Sequence, residues 1–257
     1  MALMGLTSSG LSKQPPVFER LVVLGDSLSD MGNAGRFSNG PVWVEQLAQA
    51  LKLPLEASQR GGDNFAVGGA RIEIGPQSLR AQLDQYAKRP KLAAHTLYIV
   101  WGGANDIFAA IGQPDALSEL DAAALSLKRV LAELVAHGAT HILVPNIPDV
   151  GMTPEIRAHG GEAVVEARRL TDYFNQAVER DLASLVTQSS SVRLQCVAAM
   201  AERARKDPAS FGFTDISTPC QGFARCGEYV FWDDIHPTSA AHARLAERAL
   251  DALSIQL

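Results

Sequence analysis

The sequence is most informative first in what it lacks. Three cysteines are too few for a disulfide scaffold, and Cys220 and Cys226 have no second pair to complete a four-ligand zinc site. No metal is expected. No apolar run reaches the roughly 18–20 residues that a membrane-spanning helix requires, so no membrane span is expected. Basic residues are not in excess: 23 Lys and Arg stand against 28 Asp and Glu, a formal net charge of −5. That balance argues against a nucleic-acid partner, which calls for a basic face. Neither G-x-G-x-x-G nor G-K-[ST] occurs, so no nucleotide cofactor is implied. Residues 1–16 lack the basic and apolar regions of a secretory signal. Residues 1–17 are therefore expected to be a loosely held arm in front of a single domain spanning residues 18–257.

What is present is enough apolar sequence, 47% of 257 residues, to build a globular core. Continuous apolar runs alternate with amphipathic ones. Arg20–Gly25, Thr96–Trp101, His141–Pro145 and Val192–Val197 read as buried strands. A further short strand is expected near Leu53–Ala57 or Asn64–Val67. Val42–Leu51, Ser118–His137, Ala163–Val186 and Thr238–Leu253 read as helices, with Pro41 at the first turn of one and Gly138 closing another. Strands apolar on both faces, separated by helices, imply parallel pairing. Right-handed crossovers then give an α/β fold, a three-layer α/β/α sandwich with a parallel sheet of about five strands. Cys196 lies in an apolar run and reads as a buried small hydrophobe. Cys220 and Cys226 frame CQGFARC and are left open between a local disulfide and two free thiols.

Ligands of such sheets sit beyond the carboxyl ends of the strands, so the residues that follow each strand matter most. Ser27 follows the first strand in Gly25-Asp26-Ser27, read as a strand-to-helix turn. Paired glycines follow Asn64-Phe-Ala-Val. Asn105 follows Thr96–Trp101 in Gly102-Gly103-Ala-Asn. Near the C-terminus His236 stands three residues after Asp233, a spacing that folds a carboxylate back onto an imidazole. Ser27 and Asn105 are each also common helix caps, and a lone loop histidine is usually solvated. Together they supply a nucleophile, a base with its orienting acid, and amide donors for an oxyanion.

Four segments, GDSLSDMGN, NFAVGGAR, GGAND and DDIHPT, resemble in order the four blocks of the GDSL-type (SGNH) serine hydrolases. The stretches NGPVWVEQLA, VPNIPDVGMTP and LTDYFNQAV are similar to the bacterial phospholipase/lecithinase/hemolysin-like branch, related to plant GDSL esterase/lipases. The resemblance runs from about Arg20 to Leu250. It implies a flavodoxin-like fold and hydrolysis of carboxylic esters without a cofactor. It implies Ser27 as nucleophile, His236 as base and Asp233 as acid, with Asp234 the competitor for that role. The Ser27 and Gly69 N–H groups and the Asn105 side chain would form the oxyanion hole. Asp26, Ser29, Asp30, Asn33 and Asn64 would brace the loops around it.

The expected substrate is an ester of a small or medium acyl chain, as no long apolar flap is present. Phospholipase or acyltransferase activity and polysaccharide O-deacetylation are the alternatives, with a non-enzymatic lipid- or glycan-binding module further off. Phe108 and Ile111, in the stretch Ile107–Leu117, and the loop Ile147–Gly160 are expected near the acyl site, although core packing suits either side chain. The resemblance suggests a secreted or periplasmic protein and the N-terminus a cytoplasmic one. Oligomeric state is not legible.

Overall fold

The computed structural model describes residues 17–89, 95–183, 185 and 191–253. The expected arm, residues 1–17, lies outside them except for the exposed Val17. In chain order the elements are β1 (Arg20–Gly25), α1 (Trp43–Leu51), α2 (Leu79–Ala87), β2 (Thr96–Trp101), α3 (Ala104–Ala110), α4 (Ala116–Ala136), β3 (His141–Pro145), α5 (Pro154–Ala158), α6 (Gly161–Leu182), β4 (Ser191–Gln195), α7 (Val197–Lys206) and α8 (Ser239–Leu253).

The four strands pair in parallel in the order β1-β2-β3-β4. Every side chain of β2 is buried, as expected for a strand covered on both faces. Helix α1 packs on α8, and α4 packs on α6 and α2. The two groups make the outer layers of the sandwich.

The expected sheet of about five strands is corrected to four, and the reason is local. Residues 64–67 do run parallel to β1: Phe65 N–H donates to the Val23 carbonyl at 2.8 Å and Val67 N–H to that of Gly25 at 3.1 Å. They pair only as isolated bridges, Asn64 with Val23 of β1 and with Ala57 on its other side. Side chains take the place of an outer ladder, since Asn33 Nδ2 donates to the carbonyls of Asn64 (2.8 Å) and Ala66 (2.9 Å). With this segment at its edge, the sheet has the flavodoxin order, and the crevice opens where the order reverses beside β1.

The helix ends follow their sequence signals. Glu45 reaches back to accept from the Val42 N–H at 2.8 Å, a carboxylate bonding the N-cap of α1. Helix α4 ends before Gly138, whose φ of +97° suits a left-handed C-terminal residue. Two expectations are corrected here. The run Val192–Val197 is strand only to Gln195, so Cys196 caps α7 and is half-buried rather than fully buried. Ile107–Ala110, expected as loop, is the body of α3.

Candidate active site

The site is built on the turn that leaves β1. Gln82, buried on α2, grips Gly25 with both ends of its amide: Oε1 accepts from the Gly25 N–H and Nε2 donates to its carbonyl, each at 2.8 Å. Asp26 Oδ1 accepts from the Leu28 N–H at 3.0 Å, which fixes the direction of the chain at Ser27. The helix expected after Ser27 is absent; residues 27–29 form turns and the first helix begins at Trp43. The Ser27 N–H is therefore aimed by a turn and not by a helix end.

The partner of Ser27 arrives from the far end of the chain. Trp232 N–H donates to the His236 carbonyl at 2.8 Å, closing a tight turn over residues 232–236. Within it, His236 Nδ1 lies 2.8 Å from Asp233 Oδ2, and Nε2 lies 2.9 Å from Ser27 Oγ. The turn is braced from outside: Cys220 N–H donates to Phe231 and Gln221 N–H to Trp232, and a disulfide joins Cys220 to Cys226, with Cα atoms 5.5 Å apart. That resolves the pairing the sequence left open.

Burial pushes the Asp233 carboxyl up, but hydrogen bonds from the His236 ring and from the N–H groups of His236 and Ile235 outweigh it. The group ends below the usual carboxylate range and is ionised opposite the imidazole. The Ser27 hydroxyl, the His236 ring and the Asp233 carboxylate thus form one continuous relay able to withdraw a proton from the hydroxyl.

The acceptor side of the site comes from two further loops. Asp30 accepts from the N–H groups of Gly32, Asn33, Ala34 and, at 2.9 Å, Gly68. That last bond positions Gly69, whose φ of +77° is the left-handed region that glycine enters without strain. A Cβ at Gly68 would collide with the Phe37 ring, and the same ring lies 5.1 Å from that of His236. Asn105 lies in the first turn of α3, which is capped by Gly103 rather than by Asn105. Its Nδ2 donates to the Ala70 carbonyl at 3.0 Å, leaving its second amide hydrogen free. Among the described residues the Ser27 and Gly69 N–H groups have no hydrogen-bond partner. Asn64 Nδ2 donates to the Ser29 carbonyl at 2.8 Å, tying the two glycine-containing loops together. The residues expected to form the triad, the oxyanion hole and its braces converge here, whereas Asp234 is exposed.

A GDSL-like lipase/acylhydrolase family model matches residues 21–249. The chain belongs to this family. It is a carboxylic ester hydrolase. A phosphatidylcholine-sterol acyltransferase of Aeromonas hydrophila is 27% identical, over 100% of this chain and 96% of the relative. A thermolabile hemolysin of Vibrio parahaemolyticus is 28% identical, over 95% of this chain and 66% of the relative. Among solved structures, an acetylxylan esterase from Geobacillus stearothermophilus shares the fold, with a TM-score of 0.57, 18% identity, and coverage of 94% of this chain and 97% of that one.

Several parts of this GDSL-family site were not legible in the sequence. Gln82 lies on α2, a helix too polar to stand out. Arg71 Nε pairs with the buried Asp106 at 3.2 Å, and Ile72 N–H donates to the same carboxylate, linking the Gly69 loop to α3. Next to Ser27 opens a cleft of about 380 Å³. Phe108 and the loop 147–153 line it as expected, but Ile111 does not and packs against the core instead. Further parts of its wall come from α7, from Phe211, Phe213, Val230 and Phe231, and from Ala241, Arg244 and Leu245 on α8.

Proposed function

We propose that this chain hydrolyses carboxylic esters of small to medium acyl chains through an acyl-enzyme on Ser27. His236 Nε2 takes the Ser27 proton as Oγ attacks the ester carbonyl. The N–H groups of Ser27 and Gly69 and the Asn105 amide hold the oxyanion that forms. The imidazolium, stabilised by Asp233, then gives its proton to the leaving alcohol oxygen. Water enters, loses a proton to His236, and releases the acid by the same steps in reverse. The observation that carries this reading is the unbroken contact from Asp233 through His236 to Ser27, at 2.8 and 2.9 Å.

The apolar character of the cleft favours an acyl group over a sugar as the part of the substrate it encloses, which places polysaccharide O-deacetylation second. Transfer to an alcohol other than water would use the same acyl-enzyme. Labelling by a fluorophosphonate probe, located by peptide mass mapping, tests the proposal: modification of Ser27 and loss of p-nitrophenyl ester hydrolysis in Ser27→Ala are expected. A lipid- or glycan-binding module would take up no label. Full activity in purified Ser27→Ala would overturn the assignment.

A further inference from the structure

The cleft beside Ser27 continues past the catalytic groups, beyond the carboxyl ends of β3 and β4, and ends against α7. Val197, Met200, Ala201 and Ala204 all line it. Their spacing of three, one and three residues puts them on a single helix face. Val197 and Met200 are themselves buried in the core, and the same face also borders the cleft. The opposing wall is equally apolar, with Val150, Phe213 and Phe231 all buried.

Among the described residues, most polar side chains that reach this wall are engaged; Arg244 Nε and, elsewhere on the cleft, Trp101 Nε1 are buried without a partner. Asp149 accepts from Arg168 at 2.7 Å and from the Gly151 N–H at 2.9 Å; Thr153 Oγ1 donates to the Val150 carbonyl at 2.7 Å; Arg244 Nη1 donates to Glu247 at 2.7 Å. A largely apolar volume of this kind offers water little and a hydrocarbon chain a great deal.

We infer that the α7 face is the acyl-chain measure of this enzyme: the acyl moiety of the substrate lies along Val197, Met200, Ala201 and Ala204, and the alcohol moiety does not. The inference rests on the acyl-enzyme reading given above. The acyl group stays attached to Ser27 through both halves of the reaction, so the more buried end of the cleft, at Val197 and Met200, suits it. The alcohol must depart before water can enter, and it has an open exit past Ile235, which is 37% exposed at the rim of the same cleft. The whole cleft, about 380 Å³, holds about twelve water-sized groups at roughly 30 Å³ each; the catalytic end takes part of it, which leaves room for an acyl chain of about six to ten carbons. The small side chains Ala201 and Ala204 leave that volume open. Met200, flexible and half-way along the face, sets its width.

Two ester series and two variants test this. In p-nitrophenyl esters of increasing acyl length, kcat/KM should rise about fourfold per methylene from acetate, peak within the six-to-ten-carbon range of the cleft volume, and fall beyond it. In acetates of increasing alcohol length the rise should stay below about twofold per methylene. Ala204→Phe should move the acyl optimum towards shorter chains, and Met200→Ala towards longer ones. The position of the optimum is the readout, so a general loss of activity does not imitate the effect; thermal melts establish that each variant is folded. An optimum at acetate, a length dependence confined to the alcohol series, or an optimum unmoved in folded Ala204→Phe would each overturn the inference. Fluorophosphonate labelling separates the two failures. A labelled Ser27 with a flat acyl profile removes the measure alone, and an unlabelled, inactive protein removes it together with the acyl-enzyme.

Discussion

Asp233 holds His236 by the ring and by the main chain at once. Its Oδ1 accepts from the His236 N–H at 2.6 Å and from the Ile235 N–H at 2.9 Å, while its Oδ2 faces the ring Nδ1 at 2.8 Å. The same carboxylate therefore shapes the turn and orients the imidazole within it. Asp234 enters no such arrangement: it is exposed, and its carbonyl accepts from the Glu155 N–H at the start of α5. Asp233→Asn should lower kcat by up to about 10⁴-fold, by favouring the wrong imidazole tautomer. Asp234→Asn should stay within about threefold of the parent, since it removes no contact to the ring and surface changes of this sort cost little. Steady-state kinetics on the two variants decide between the neighbours.

Asn105 donates one amide hydrogen to the Ala70 carbonyl, and in the proposed reaction the other holds the oxyanion. Asn105→Ala should reduce kcat by roughly 10²–10³ with a much smaller change in KM, since the donor matters most when charge develops on the carbonyl oxygen. A loss confined to KM would place Asn105 in ground-state binding only.

Gln82 offers a separate test of how the nucleophile is aimed. Gln82→Leu removes both bonds to Gly25 and leaves its buried N–H unpaired, so a stability loss of about 1–3 kcal/mol is expected in denaturant melts. Gln82→Glu keeps the acceptor for the Gly25 N–H and loses only the donor, so it should be the milder change. If positioning of Ser27 is also lost, kcat falls in both variants at temperatures well below their melting points. Unchanged kcat in folded protein would reduce Gln82 to a structural role.

His242, fully buried on α8, has no hydrogen-bond partner for either ring nitrogen among the described residues. Burial, with the positive charges of His236 and Arg36 adding to it, pushes its pKa down from 6.5 to about 3. The folded chain thus binds fewer protons at this site than the unfolded chain between those two values. Stability is intact above pH 6.5 and is lost as pH falls towards 3, by up to about 1.4 kcal/mol per pH unit. Asp26 works in the opposite sense, because burial raises its carboxyl to about 7 and its folded form takes up a proton as pH falls. The contribution of His242 is isolated by comparing the parent with His242→Leu. Melts from pH 7 to pH 4 should show the variant losing less stability than the parent, and parallel curves would mean that His242 does not titrate with unfolding.

The strands were readable because their apolar runs are continuous, and a buried parallel strand tolerates nothing else. The catalytic segments were readable because each sits in a short stretch whose residue types have few other uses in combination. The rest was hidden for definite reasons. VRLQCVAAM is a mainly apolar run, broken only by Arg193 and Gln195, which periodicity does not divide cleanly into strand and helix; the chain turns at Cys196 and the rest of the run begins α7. The face of α7 carried a core-like pattern, although it borders a cleft. Gln82 and Arg71 act through partners far away in sequence, Gly25 and Asp106, and no local pattern announces a contact of that kind. The turn after Ser27 was taken for a helix because a strand-to-helix turn is the common setting for a serine at such a place.

The rim formed by residues 64–67 has a consequence for the molecule in company. Its outward-facing groups are all occupied: Asn64 N–H by the Glu56 carbonyl, Ala66 N–H by the Asn64 side chain, and both carbonyls by Asn33. A lone strand border invites a neighbouring chain to zip onto it. Here the main chain of residues 56–58 and the Asn33 side chain stand in the berth a visiting strand would need, so the fold is guarded on that flank against stacking into fibres.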